Sequence, residues 1–400
     1  MSEINSRRVV ITGFATIGPD GYSDESWERL LHAENCISDL SIDHLSNCYS
    51  KKYGIMDRDM LNYLEEKYLT DDERKLTIST KLLLITSMMA AEKSGISFDS
   101  FDSKMRSGVI FGSAVFDMFD WNKETAKGSS RFTAALDVAK HFGIHGETLM
   151  NVNACSAGNH AIGSAVSLIR SGKLDTVIAG GVDVMDEIPY VVFIRLKALS
   201  RDSIKPFDKA RNGTILSEGA GILILESLEH AINRNAVIYG EVLGYGMSND
   251  AYNIVAPDPS ASGIVQAMKA ALRDSGISPE EVDVISVHAT GTYANDVAES
   301  KAINMVFRDC AKNISAFAIK SMVGHQLGAA SAVAAAVCVR SLIEQIVPPT
   351  INVTDEEDIS FHLVKQIPEK RNIDIIMNNA SAFGGSNCCI ILKRWDKNNG

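Results

Sequence analysis

Residues 151–172 read NVNACSAGNHAIGSAVSLIRSG. A short apolar run, Leu149–Val152, leads into Cys155. Small residues follow (Ser156, Ala157, Gly158), and a helical pattern then occupies Ala157–Arg170. The order predicts a thiol where a strand turns into a helix. Unsatisfied N–H groups give a helix N-terminus partial positive charge, which can take a thiol from about 8.5 into the range of roughly 3.5–7.5. Taken alone, the window leaves two readings open: an activated nucleophile, or a buried small hydrophobe.

The same plan recurs downstream as FAIKSMVGHQLGAASAVAAAVCVRSL, Phe317–Leu342. Four further pairs follow in the same order. VVITGFATIGPDG from Val9 matches YGEVLGYGMSND from Tyr239, and RSGVIFGSA from Arg106 matches DVISVHATGT from Asp283. TVIAGGVDVMD from Thr176 matches IIMNNASAFGG from Ile375, and AGILILE from Ala220 matches NCCIILK from Asn387. Strand-like and helical patterns alternate throughout, the mark of an α/β architecture. The repeat predicts two similar α/β halves, 1–235 and 236–400, related by a pseudo-two-fold. Their central helices, rich in small residues, should pack on each other.

The chain has 400 residues, 46% of them hydrophobic and 22% charged, with a net charge of −11. That composition is globular and argues against a nucleic-acid binder. The N-terminus carries no apolar signal region, and the apolar stretch Leu327–Val339 is too short to span a bilayer. The seven scattered cysteines fit reduced thiols in a cytoplasm. No Cys/His spacing resembles a metal site.

Three more segments carry chemistry-bearing residues at expected strand ends: HATGT (His288–Thr292), KSMVGH (Lys320–His325) and NASAFGGSN (Asn379–Asn387). Ligands of α/β proteins bind outside the carboxyl ends of strands, so these segments are expected to converge with Cys155.

Five motifs in order, ACSAGNHAIG, KPFDKARNGTILSEGAG (from Lys205), HATGTYANDVAE, KSMVGHQLGAA and AFGGSN, strongly resemble the elongating β-ketoacyl-acyl carrier protein synthases of the thiolase superfamily, over nearly the whole chain. The resemblance implies a thiolase-like, five-layer αβαβα fold and a decarboxylative condensation giving 3-oxoacyl-acyl carrier protein. It implies Cys155 as acyl acceptor and His288 and His325 as the decarboxylation pair. Lys320 is either catalytic or a holder of its loop. The resemblance further implies Phe383 as gate and, with Cys155, as donor of an oxyanion N–H, and Thr290 and Thr292 as the grip on a phosphopantetheine arm. That arm arrives on the carrier protein, so no resident cofactor is expected. Asp296 and Glu299 are read as orienting the His288 loop, His160 as helix packing, and Glu218 with Arg211 as one buried ion-pair network. The basic residues Lys205, Arg201, Lys127 and Arg131 are candidates for docking the acidic carrier.

Three departures from the family pattern stand out. The segment between Gly128 and Cys155 is short where the family carries part of its dimer interface and acyl wall. Ser381 occupies an aromatic position, and Ala334 occupies the position of a Glu that pairs with the lysine. A lysine deprived of that acid should fall in pKa or find another partner. The departures point to a specialised synthase, a homodimer or a heterodimer with a related subunit. A chain-length-shaping scaffold is the rival reading, opposed by the presence of Cys155. A thiolase is opposed by the reading of Cys388 and Cys389 as core.

Overall fold

The computed structural model describes residues 7–40, 48–115 and 133–396. Ten strands carry the architecture. The first five are β1 (Val9–Gly18), β2 (Ser107–Gly112), β3 (Thr148–Asn151), β4 (Thr176–Asp183) and β5 (Gly219–Ser227). The second five are β6 (Gly240–Asn249), β7 (Val284–Ser286), β8 (Ser315–Phe317), β9 (Ile375–Ser381) and β10 (Ser386–Arg394). Counted outward from β1 and from β6, both sets run in the order first, fifth, fourth, second, third. The two half-sheets join where β1 pairs antiparallel with β6 through Val10↔Glu241 and Ile11↔Gly240. One hydrogen-bonded sheet therefore runs through the molecule, ending beyond β8 in a two-residue strand at His362–Leu363.

Alternation along the strands makes the layers. In β4, Val177 and Ala179 face the central core, whereas Ile178 and Val182 face an outer one. In β10, Ile390 and Leu392 point inward, whereas Cys389 and Ile391 join the outer core of the second half. Helix α1 (Ile78–Ser94) covers the first half-sheet. Helices α4 (Ser262–Ser275) and α5 (Tyr293–Phe307) cover the second. Between the half-sheets lie α2 (Ala157–Arg170) and α6 (Ala330–Glu344). The five-layer α/β expectation matches this arrangement.

The central helices touch because their contact residues are small. A Cβ built on Gly158 would lie 2.8 Å from both the Cβ and the amide N of Ala332. A buried amide network ties them to β9 and β10: Asn159 Nδ2 donates to the carbonyls of Asn378 and Cys388, both at 3.1 Å, and Asn378 Nδ2 donates to the carbonyl of Ser331 at 2.9 Å.

One length expectation is corrected. With its leading 3₁₀ turn, the last central helix spans Leu327–Glu344, long and apolar enough to cross a membrane by length and composition. It instead lies in the core, with Leu327–Val339 buried throughout. Lys127 and Arg131, and much of the shortened segment after Gly128, lie outside the described residues.

Candidate active site

Cys155 does not sit directly on a strand end. After β3 the chain makes a 3₁₀ turn, Ala154–Ser156, and α2 starts at Ala157. Ala154 takes a positive φ of 46°, which costs an alanine on the order of 1 kcal/mol. Ala289 (φ 34°) directly follows His288, and Leu327 (φ 48°) lies two residues past His325. Strained backbone thus flanks each of the three side chains, as at sites where geometry is held by the surrounding fold.

These side chains share one cavity of about 370 Å³. Cys155, His288, His325, Thr290, Thr292 and Phe383 all line it, as do Ser381 and Arg211. The His288 and His325 rings meet edge to face with centroids 5.5 Å apart. Thr290 and Thr292 place their hydroxyl oxygens 2.9 Å apart.

Electrostatics correct the expectation of a low thiol pKa. Burial pushes the Cys155 thiol up to about 12. The Lys320 ammonium opposes that rise, as do the N–H groups of Cys155 and Phe383, which face the sulfur. The cost of burying a thiolate outweighs the helix end, so the resting sulfur is protonated. The N–H groups of Cys155 and Phe383 thus converge on the sulfur. Phe383 is set by a turn in which Gly384 and Gly385 adopt φ of 78° and 72°. Its ring stacks on Phe193 at 5.2 Å.

Burial also lowers Lys320, to about 8, with Glu299 opposing the fall. Both outcomes foreseen for a lysine lacking the family's Glu therefore occur together: its pKa drops, and the charge of another acid, Glu299, acts on it. The Glu299 carboxylate accepts the N–H groups of His288 (2.7 Å) and Ala289 (2.8 Å). Asp296 accepts the N–H groups of Gly291 (3.3 Å) and Phe207 (3.0 Å), and burial raises it to about 7. The two acids thus brace the backbone of the His288 loop. Burial, then Lys320, then His325 hold His288 well below the usual imidazole range, and burial and Lys320 do the same to His325. Both rings are neutral near pH 7 and can donate an N–H without carrying charge. His325 Nδ1 is buried and has no hydrogen-bond partner among the described residues.

Glu218 and Arg211 do not form one network. Glu218 takes the N–H groups of Met56 and Met185 at 3.0 Å and pairs with Arg58 at 3.2 Å. Arg211 pairs with Glu357 at 2.7 Å and comes within 3.8 Å of Asp296. His160 Nδ1 lies 3.0 Å from the Ser156 carbonyl, and Nε2 lies 3.4 Å from Ser386 Oγ in the Phe383 loop.

Two contributors were missed in the sequence. Asp183 ends β4 and takes the N–H groups of Ala114 (2.9 Å), Val115 (3.1 Å) and Gly328 (2.6 Å), joining the loop after β2 to the turn past His325. A lone acid closing the fully buried strand TVIAGGVD was its signal. Asp250 accepts Asn387 Nδ2 at 2.7 Å beside the cavity, with no comparable signal. Among the described residues no group of three or more His, Cys, Asp or Glu is placed to hold a metal.

Residues 6–231 match the family profile of the β-ketoacyl synthase N-terminal domain, and residues 239–354 that of its C-terminal domain. The 3-oxoacyl-[acyl-carrier-protein] synthase 2 of Coxiella burnetii is 33% identical over 98% of this chain and 99% of its own length. The synthase 2 of Vibrio cholerae is 33% identical over 98% of this chain and all of its own. Among solved structures, the ishigamide ketosynthase/chain length factor superposes with a TM-score of 0.90 at 30% identity, over 98% of this chain and all of that one. The type II polyketide ketosynthase AntDE, solved with its acyl-carrier protein AntF, reaches 0.88 at 27% identity with the same coverage. With profiles matched in both halves and full-length relatives at this identity, the chain belongs to the β-ketoacyl synthase family.

Proposed function

We propose that this chain elongates acyl groups by decarboxylative condensation, as a 3-oxoacyl-[acyl-carrier-protein] synthase in fatty acid or type II polyketide-like biosynthesis. One observation carries the reading: a buried thiol facing two backbone N–H groups, in the same cavity as two neutral imidazoles. In the first step Cys155 Sγ attacks the thioester carbonyl of an acyl-carrier protein. The thiol proton leaves with the departing carrier thiol, so the high resting pKa of Cys155 is overcome only as bonds change. In the second step the malonyl C–C bond breaks and releases CO₂. The electron pair enters an enolate whose oxygen accepts hydrogen bonds from His288 and His325. The enolate carbon attacks the acyl carbonyl, whose oxygen sits between the N–H groups of Cys155 and Phe383. Collapse breaks the C–S bond and releases the Cys155 thiolate, which takes up one proton from solvent, the proton that the overall condensation consumes. Such splitting of one hard step into two is covalent catalysis.

In this reading residues 1–235 carry the nucleophile and residues 236–400 both imidazoles, while Thr290 and Thr292 hold the phosphopantetheine arm. The arm comes with the carrier, and no resident cofactor takes part. Seven free thiols support a reducing cytoplasm. Lys205 is a weaker docking candidate than its motif suggests, because its ammonium lies 2.6 Å from Asp202. Arg201 is exposed, lies over the Tyr49 ring, and shares a groove of about 520 Å³ with Arg195 and Lys197. We assign carrier docking to that groove.

A second reading has the chain catalytic only beside a related subunit. The likeness to the ishigamide ketosynthase/chain length factor pair favours it. Intact mass after incubation with acyl-carrier proteins, with Cys155→Ala alongside, tests the main reading: a mass gain on the wild type alone supports it. A native mass of the purified protein then separates an active homodimer from a chain that waits for a partner.

A further inference from the structure

Cys155 stands between two unlike surroundings. On one side lies the open cavity, with the imidazoles and threonines. On the other lies a contiguous apolar cluster in which Cys155 is joined by Tyr53, Val115, Tyr190, Leu216 and Leu327, all buried. Phe193 and Phe383 belong to both sides: their stacked rings line the cavity and also pack on the cluster.

The chemistry gives each side an occupant. An acyl carbonyl carbon on Cys155 bears the sulfur, the oxygen and the tail. The oxygen points to the N–H groups of Cys155 and Phe383, and the attacking carbon arrives from the open cavity. The tail takes the remaining direction, toward the Phe193–Phe383 pair and the cluster behind it. This rests on the condensing role of Cys155 proposed above.

Tyr190 belongs to the same cluster as that pair. It lies on α3 (Glu187–Arg195), three residues before Phe193 and on the same inward face, while Val191 and Val192 are exposed. Its hydroxyl donates to the Ser50 carbonyl at 2.7 Å, and its ring centroid lies 6.1 Å from that of Tyr53. Both tyrosines are only 1% exposed. A ring pinned at its far end by a buried hydrogen bond cannot yield to a growing chain as a free Leu or Met can. The geometry points to Tyr190, backed by Tyr53, as the floor of the acyl subsite, confining Cys155 to short acyl groups and excluding long saturated ones. Each methylene forced against that floor lowers the acylation rate on the order of tenfold.

The test uses the full chain and acyl-pantetheine thioesters from acetyl to dodecanoyl, with the rate of Cys155 acylation read by intact mass. The wild type is expected to react with acetyl and butyryl thioesters and to lose at least about tenfold by decanoyl. Tyr190→Ala should raise the decanoyl-to-acetyl ratio by about tenfold or more, and Tyr190→Phe, which keeps the ring, should raise it far less. Should the alanine variant fail to fold, Tyr190→Leu provides the same comparison. A wild type that takes decanoyl as fast as butyryl overturns the proposal, as does a folded Ala or Leu variant with the wild-type ratio. If the wild type is acylated and Cys155→Ala is not, the condensing role stands whichever way Tyr190 falls. If no donor acylates the wild type, both fail.

Discussion

His288 and His325 approach each other edge to face, with ring planes at 85° and centroids 5.5 Å apart. Two neutral rings so placed can aim separate N–H groups at one oxygen. Removing one donor to a developing oxyanion costs about 10²–10³ in kcat. His288→Ala and His325→Ala are each expected to slow CO₂ release from malonyl-carrier protein by that order, while Cys155 still accepts an acyl group. Labelled malonyl substrate and intact mass report the two steps separately. Undiminished CO₂ release in either variant would remove that histidine from decarboxylation.

Lys320 and Cys155 titrate against each other. The thiolate is favoured while the lysine is charged, and the lysine loses its proton near pH 8. Below that pH, alkylation of Cys155 by iodoacetamide should rise about tenfold per unit as thiolate accumulates. Above it the rise should flatten, because each further thiolate forms without its counter-charge. Lys320→Met is expected to react more slowly at pH 7 and to keep rising past pH 8. A wild-type profile with no break near pH 8 would mean that the ammonium does not govern the thiol.

Gly158→Ala tests the crossing of the central helices. Its new methyl would meet Ala332 at 2.8 Å, with backbone on one side and α2 on the other. Overpacking of this kind costs about 1–3 kcal/mol, read as a lower denaturation midpoint. Unchanged stability would show that the helices can part without penalty.

Arg201→Glu should raise KM for the carrier protein severalfold at low salt and leave kcat at saturation nearly unchanged, with the difference shrinking as salt is added. Lys205→Glu should do less, because Asp202 already occupies that ammonium. Equal effects from both, or none from Arg201, would move the docking face elsewhere.

Much of the fold was readable because its signals are local and repeated. The pattern over Ala157–Arg170 marks α2 residue for residue, and the paired motifs fall on corresponding elements of the two half-sheets, whose shared strand order only the structure reveals. Strand lengths were less legible: β1 runs on to Gly18 through FATIG, past Gly13, where a bulge shifts the register against β5. The residue types at the site were readable too, but their energetics were not. A helix N-terminus can be seen in a sequence, whereas the full burial that outweighs it at Cys155 arises from segments far apart in the chain. The replacement of the missing acid by Glu299 is of the same kind: the carboxylate comes from α5 and the lysine from the turn after β8. Nor does any residue pattern announce the positive φ at Ala154, Ala289 and Leu327, because alanine and leucine are not residues that favour it.

The junction of β1 with β6 consists of two residue pairs, yet the nucleophile belongs to one flank of that junction and the imidazoles to the other. The backbone pairing there is one of the ties that fix the sulfur-to-imidazole spacing. Substitutions at Val10, Ile11, Gly240 or Glu241 can therefore detune the chemistry without touching a reacting atom, and turnover doubles as a gauge of how truly the two flanks are aligned.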